Sequence, residues 1–283
     1  MTSPPAPFIV GMGRSGTTLL RLMIDSHPLI AIPPETQFIS TLNWSCGRDE
    51  FIRHVTSHRR WPDFHLDADA LAETILNLPD FSVAEGLRAF YRAYAARFAK
   101  PRWGDKTPTY SERMTEIAKA LPEAGFIHII RDGRDSALSH RGLWFGPGAD
   151  LAAHARVWRQ TILWAREQAA NATFPYMEVR FENLILTPDA ELRRICSFLD
   201  VDFDSSMLKY HQRAADRIGE LEGRKVEGNL PGFSKEEHRA IFARTSSPPD
   251  PDRIGVWRRD MSESEQEAYT SIAGDLLTEL GYA

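Results

Sequence analysis

Short apolar runs of three to five residues alternate along this chain with longer stretches in which apolar side chains recur every three or four positions. The first pattern marks a buried strand and the second a helix with one face turned inward. Phe8-Ile9-Val10 reads as a strand. Residues 17 to about 26 read as a helix that stops at His27-Pro28, because a residue before proline avoids the helical region. Leu29-Ile30-Ala31-Ile32 reads as a second strand, stopped by Pro33-Pro34. Residues 67–100 look helical, with Leu71, Ile75 and Leu76, then Leu87, Phe90, Tyr91 and Tyr94 at helical spacing. Phe126-Ile127-His128-Ile129-Ile130 is the clearest strand and leads through Arg131-Asp132-Gly133-Arg134 into another helix. Residues 151–170 form a long helix carrying Val157, Ile162, Leu163 and Trp164, residues 176–181 a strand, and residues 189–199 a helix. Residues 215–256 are rich in Gly, Pro, Ser and charge and read as a long, partly irregular segment, a candidate lid. Residues 262–281 are helical again, with Ser262 as cap and Glu265 three positions on. There is no internal repeat.

Strands alternating with helices imply right-handed βαβ units, hence an α/β fold with a central parallel sheet flanked by helices. The whole of residues 1–283 is expected to form one domain. Parallel strands present their C-terminal ends on one edge, where such folds bind ligands. The loops after Val10 and after Ile130 therefore open side by side.

Composition changes this picture little. At 42% hydrophobic and 26% charged, the 283 residues are those of an ordinary soluble protein. A chain of this length buries roughly 75% of its unfolded surface. The formal net charge of −5 gives no global signature of a nucleic-acid partner, so basic residues count only where they cluster. Cys46 and Cys196 offer neither a disulfide framework nor a metal spacing and read as two reduced thiols. Residues 1–7 lack a basic, then apolar, leader, and no run approaches the ~20 apolar residues of a membrane span. The expected location is cytoplasmic.

The chemistry starts at Gly11-Met-Gly-Arg14-Ser15-Gly16-Thr17-Thr18, between the first strand and the first helix. Gly11 and Gly16 keep the glycine spacing of a nucleotide-binding P-loop, but Thr17 stands where that loop has its lysine. Such a loop wraps an anion with backbone N–H groups at a helix N-terminus. Without the lysine it has no grip on β- and γ-phosphates, which argues against ATP or GTP. Arg131 follows the clearest strand, and Ser139 lies eight residues later, two turns into the next helix on the face of Ser136. The two can converge on one phosphate, where a guanidinium makes strong bidentate bonds. Taken alone, Arg131-Asp132-Gly133-Arg134 also fits a solvated turn with local ion pairs.

Together these motifs, with the Trp257-containing tail, resemble the sulfotransferase superfamily, and the fold implied is its P-loop-like one. The resemblance implies 3′-phosphoadenosine 5′-phosphosulfate as sulfuryl donor, adenosine 3′,5′-bisphosphate as product and no required metal. It implies that Arg14, Ser15, Gly16, Thr17 and Thr18 hold the 5′-phosphosulfate and that Arg131 and Ser139 hold the 3′-phosphate. The run Arg14 to Arg21, Asp25-Ser26-His27-Pro28 and Glu35-Thr36 is similar, without a gap, to the tyrosylprotein sulfotransferase branch. There, an acid at the position of Glu35 is the general base, and Lys106 of Asp105-Lys106-Thr107-Pro108 matches a lysine that stabilises the transferring sulfonate, a task shared with Arg14. In the small-molecule branch the base is a His at the position of Pro108, which cannot serve. Val179-Arg180-Phe181-Glu182-Asn183-Leu184 resembles the family's nucleotide-contacting strand, with Phe181 where Tyr is usual. Arg244-Thr245-Ser246, Arg253 and Trp257 resemble a later nucleotide-supporting motif.

Other readings of these residues stay open. Glu35 suits a helix start, Lys106 an exposed surface, Arg14 a loop brace and Trp257 a core position. His27 fits a helix end, His128 a core strand, and Trp144-Phe145-Gly146-Pro147-Gly148 either an acceptor wall or a closed loop. A P-loop-type kinase or NTPase and a non-catalytic nucleotide-binding protein are the competing functions. The partners expected are the nucleotide and a hydroxyl-bearing (less often amine) acceptor: peptide tyrosine, carbohydrate, lipid or small metabolite. Gln37 stands where the tyrosylprotein branch carries an arginine, which weighs against an acidic peptide.

Overall fold

A parallel sheet covered on both faces organises the computed structural model, which describes residues 4–141, 143, 150–228 and 232–282. In chain order its elements begin with β1 (Ala6–Gly11), α1 (Thr17–Asp25) and β2 (Ile30–Ala31). α2 (Arg48–Thr56), α3 (Ala68–Leu76), α4 (Val83–Ala96), β3 (Arg102–Trp103), β4 (Asp105–Lys106) and α5 (Met114–Ala120) follow. Then come β5 (Ala124–Ile130), α6 (Gly133–His140), α7 (Leu151–Ala170), β6 (Tyr176–Arg180), α8 (Phe181–Leu186) and α9 (Pro188–Phe198). α10 (His211–Ile218), α11 (Lys235–Ala240), α12 (Trp257–Asp260) and α13 (Glu263–Glu279) complete the chain. The sheet runs β4-β1-β5-β6 with every pair parallel, while β2 and β3 form a separate two-stranded ribbon.

Alternation along the strands builds the two cores, because successive side chains point to opposite faces. Phe8, Val10 and Phe126 enter one apolar cluster with Phe51 of α2, Ile75 of α3, Phe90 and Tyr91 of α4 and Met114 of α5. Ile9, Ile127, Ile129 and Val179 enter the other with Leu20 and Met23 of α1, Leu184 of α8, Ile195 of α9 and Ile218 of α10. Trp158 of α7, Tyr269 of α13 and Ala137 of α6 form a third cluster against Met12 and Ile130. Cys46 and Cys196 are buried, free thiols.

Several expectations are corrected. Residues 29–32 yield only two-residue β2, outside the main sheet. The helical stretch 67–100 is two helices, broken at Pro79 and restarted by Ser82, whose side chain accepts from the Glu85 N–H. The strand at 176–181 stops at Arg180, and Phe181 opens α8. β3 and β4 are too short and too polar to read as strands, yet β4 lies beside β1 in register Ile9↔Lys106. Residues 215–256, read as partly irregular, hold short ordered pieces: α11 carries a full capping box at Ser234 and Glu237, and Arg224 bridges Phe233 across two backbone hydrogen bonds. The capping box of Ser262 and Glu265 starts α13 as the sequence indicates.

A buried ionic cluster fastens α10 to α1 and α4. Arg217 donates from Nε and Nη2 to the two oxygens of Asp25 (2.8 and 2.9 Å) and from Nη1 to Glu220 (2.9 Å). Tyr94 OH donates to the other oxygen of Glu220 at 2.8 Å. Removing one member leaves the rest buried and uncompensated. Arg217→Ala is therefore expected to lose about 3–5 kcal/mol of stability, read as a lower urea midpoint at constant slope.

Candidate active site

The first site element is the turn between β1 and α1. Arg14 sits in the left-handed region (φ 66°) and Gly16 likewise (φ 98°). A Cβ on Gly16 would come within 2.4 Å of the Phe181 ring, so only glycine fits there. α1 begins with no side-chain cap, which leaves the N–H groups of its first turn available at the cavity lined by Gly16, Thr17 and Thr18. The Ser15 side chain is buried and its N–H donates to Met12 O at 3.3 Å.

β5 and α6 place the second element beside the first. Arg131, at the end of β5, is buried and lies over the Phe181 ring at 4.4 Å. Its Nη1 donates to Arg14 O (3.3 Å) and Nη2 to Arg253 O (2.9 Å), while Nε has no hydrogen-bond partner. Ser139 Oγ accepts from Arg14 Nε at 3.1 Å. Arg14, Arg131 and Ser139 thus meet around one point although 125 residues separate Arg14 from Ser139. The Asp132–Arg134 pair behind them is buried, not a solvated turn.

The third element is a carboxylate against an ammonium. Lys106 Nζ donates to Glu35 Oε1 at 2.7 Å and reaches Thr18 Oγ1 at 3.4 Å. Burial alone would raise the Glu35 carboxyl. The cations of Lys106 and Arg60, with hydrogen bonds from Lys106 and Gln37, outweigh it and hold the group down at about 2. Burial lowers the Lys106 ammonium, opposed by Glu35. Burial lowers the Arg14 guanidinium to about 10, followed by repulsion from Arg131, Arg253 and Arg244.

The tail forms the remaining wall. Thr245 and Arg253 line the cavity, but the Thr245 hydroxyl donates to Phe242 O (2.7 Å). Ser246 is exposed and outside the described lining, and Ser247 lines it instead. Trp257 belongs to the third core cluster, with Arg134 stacked over its ring at 3.5 Å. His27 joins the end of α1 to Asp202 O, and His128 is buried against Tyr176 OH. Residues 144–148 lie outside the described residues.

Sequence spacing missed one residue. Arg60 donates from Nε to Gln37 Oε1 (3.2 Å) and lies 3.7 Å from Glu35 Oε2. The cation absent at position 37 is thus supplied from position 60 through space, and nothing in the local pattern signals it. The cavity encloses about 750 Å³. Among the described residues its lining holds nine arginines and lysines against two carboxylates, Glu35 and Asp250, in a chain of net charge −5. Such a cleft is built for a multiply charged anion.

Residues 5–205 match the sulfotransferase family. Protein-tyrosine sulfotransferase 1 of Danio rerio is 27% identical over 230 residues, which cover 79% of this chain and 60% of that protein. A putative protein-tyrosine sulfotransferase of Caenorhabditis briggsae is 27% identical over 237 residues, 81% of this chain and 75% of that one. Nodulation protein NoeE of Sinorhizobium fredii is 26% identical over 298 residues, 97% of this chain and 65% of that one. The sulfotransferase domain from the Synechococcus PCC 7002 olefin synthase superposes with a TM-score of 0.61 at 23% identity, over 98% of this chain and 96% of that domain, which shows the shared fold.

The Glu35–Lys106 contact has a pH signature. A carboxyl held at about 2 contributes stability that is fully present above its ordinary value of 4.5 and is lost as the pH falls through about 2. Thermal melts of the parent and of Glu35→Gln are expected to differ most above pH 5 and to converge toward pH 2.

Proposed function

The chain belongs to the sulfotransferase family, and we propose that it moves the sulfuryl group of 3′-phosphoadenosine 5′-phosphosulfate to an acceptor hydroxyl by in-line displacement, with Glu35 as general base. The observation that carries this reading is the concentration of nine cationic side chains in one cleft, with a carboxylate–lysine pair beside the loop. The first-turn N–H groups of α1 suit the 5′-phosphosulfate. Arg131 and Ser139 suit the 3′-phosphate, and the partnerless Nε of Arg131 is one donor for it. Thr17 in place of the P-loop lysine fits a donor without a γ-phosphate.

In this scheme the acceptor oxygen bonds to sulfur as the bond from sulfur to the bridging oxygen breaks. The acceptor proton passes to Glu35, and adenosine 3′,5′-bisphosphate leaves. Lys106 and Arg14 neutralise charge growing on the bridging oxygen. In the free protein Glu35 is too weak a base, because Lys106 and Arg60 stabilise its anion. A sulfonate that draws Lys106 away returns basicity to Glu35 at the moment it is needed. Of the acceptors the sequence leaves open, Arg60 favours one with negative charge near its hydroxyl.

Calorimetry with adenosine 3′,5′-bisphosphate and ADP, both without metal, tests the donor. Selective binding of the bisphosphate is expected. Arg131→Ala should shrink that selectivity by ~10- to 100-fold, the worth of a charged hydrogen bond. A preference for ADP that requires Mg²⁺ would return the chain to the NTPases. With labelled donor, Glu35→Gln should keep bisphosphate affinity and lose about 10²–10⁴-fold in turnover.

A further inference from the structure

Glu35 lies in a stretch without regular structure, between β2 and a 3-10 turn that starts at Phe38. A base in such a place needs something to fix it, and its own side-chain contacts all face the cleft: Lys106, Arg60 and Gln37. The opposite side of the same stretch is different. Thr36 is fully buried, and so are Asp105, Thr107, Tyr91 and Tyr110 around it. Residues 35, 36 and 37 thus alternate between cleft and interior, and so do Asp105, Lys106 and Thr107 as they leave the sheet.

The interior side is connected by hydrogen bonds. The Thr36 N–H donates to Thr107 Oγ1 at 3.1 Å. The Thr36 hydroxyl donates to Asp105 Oδ2 at 2.7 Å, and Tyr91 OH donates to the same oxygen at 2.9 Å. With its proton committed to Asp105, Thr36 Oγ1 accepts from Tyr110 OH at 2.7 Å. Tyr110 OH in turn accepts from the Ile39 N–H at 3.1 Å. The donors therefore run one way, from Ile39 through Tyr110 and Thr36 to Asp105. A buried carboxylate that ends such a chain is costly to leave unpartnered.

We propose that Thr36, Asp105 and Thr107 form a latch that sets the separation of Glu35 from Lys106 from behind the cleft. The residues one step along each segment carry the chemistry, and their neighbours in the interior hold the two segments together. Asp105 and Thr36 are positioning residues. They touch neither donor nor acceptor, and they act through the 2.7 Å contact on the other side. The kinetic arm of this inference rests on the sulfuryl-transfer reading; the geometric arm does not.

The test reads the Glu35 carboxyl by carbon NMR titration, with turnover of labelled donor as the second measurement. Thr36→Val removes the hydroxyl and should move the Glu35 midpoint from about 2 toward its ordinary 4.5. Turnover should fall on the order of 10²-fold, the cost of about 1 Å at a catalytic contact, at unchanged bisphosphate affinity. Thr36→Ser should restore both. Thr107→Val withdraws the acceptor of the Thr36 N–H; it should shift Glu35 in the same direction and replaces Thr36→Val should that variant not fold. Tyr91→Phe drops one donor to Asp105 but keeps the Thr36 link, and should shift Glu35 less. A Glu35 titration unmoved in Thr36→Val and in Thr107→Val, or moved as far by Tyr91→Phe, overturns the latch. Loss of bisphosphate binding in the parent protein would instead overturn the donor assignment and leave the titration result standing.

Discussion

Mutual repulsion among the cations of one cleft is the constraint to which the surrounding structure answers. Burial lowers the guanidiniums of Arg14, Arg131 and Arg253, and the cations beside each add to the effect. The fold answers with carboxylates behind the lining, such as Asp135 near Arg131 and Arg253, and with backbone carbonyls. Arg131 is held by the carbonyls of Arg14 and Arg253, and Arg14 reaches the carbonyl of Ile241 at 3.5 Å. A carbonyl is a dipole and offsets only part of a full charge, so the unliganded cleft retains an excess of positive charge. An anion of several charges is the species that relieves it, and its binding should stabilise the fold by simple linkage.

The parts of the site that could be read from sequence are those made by neighbours in the chain. The loop from Gly11 to Thr18 is contiguous, and Arg131 with Ser139 follows helical spacing, so both emerge from pattern alone. Glu35 and Lys106 emerge only through resemblance, because 71 residues separate them and β4 is two residues of polar strand. Arg60 is silent in the sequence since its partners, Glu35 and Gln37, are reached across a loop. Ser15 and Ser246 belong to their motifs as blocks, yet the first is buried and the second exposed. A turn sends adjacent side chains in opposite directions, and a motif assigned as a block ignores that.

For the fold, alternation of strand and helix was enough to give a parallel α/β sheet with its ligand edge at the ends of β1 and β5. Extent was harder. Pro79 divides one apolar stretch into α3 and α4, because periodicity continues across a break that the backbone cannot. Residues 215–256 looked irregular because their order comes from tertiary ties, such as the Arg217–Asp25 pair and the Arg224–Phe233 bridge, and not from local propensity.

The segregation of charge in this molecule bears on how fast a ligand arrives. The chain as a whole is negative and its cleft strongly positive, so the remaining surface is more acidic than the net charge suggests. An approaching anion meets repulsion at long range and attraction only near the mouth. At physiological salt, with a screening length of about 8 Å, the outer barrier is largely erased while the field inside the low-dielectric cleft persists. Encounter is thereby filtered by distance: anions diffuse past the acidic exterior unhindered and are focused only in the last few ångströms before the loop.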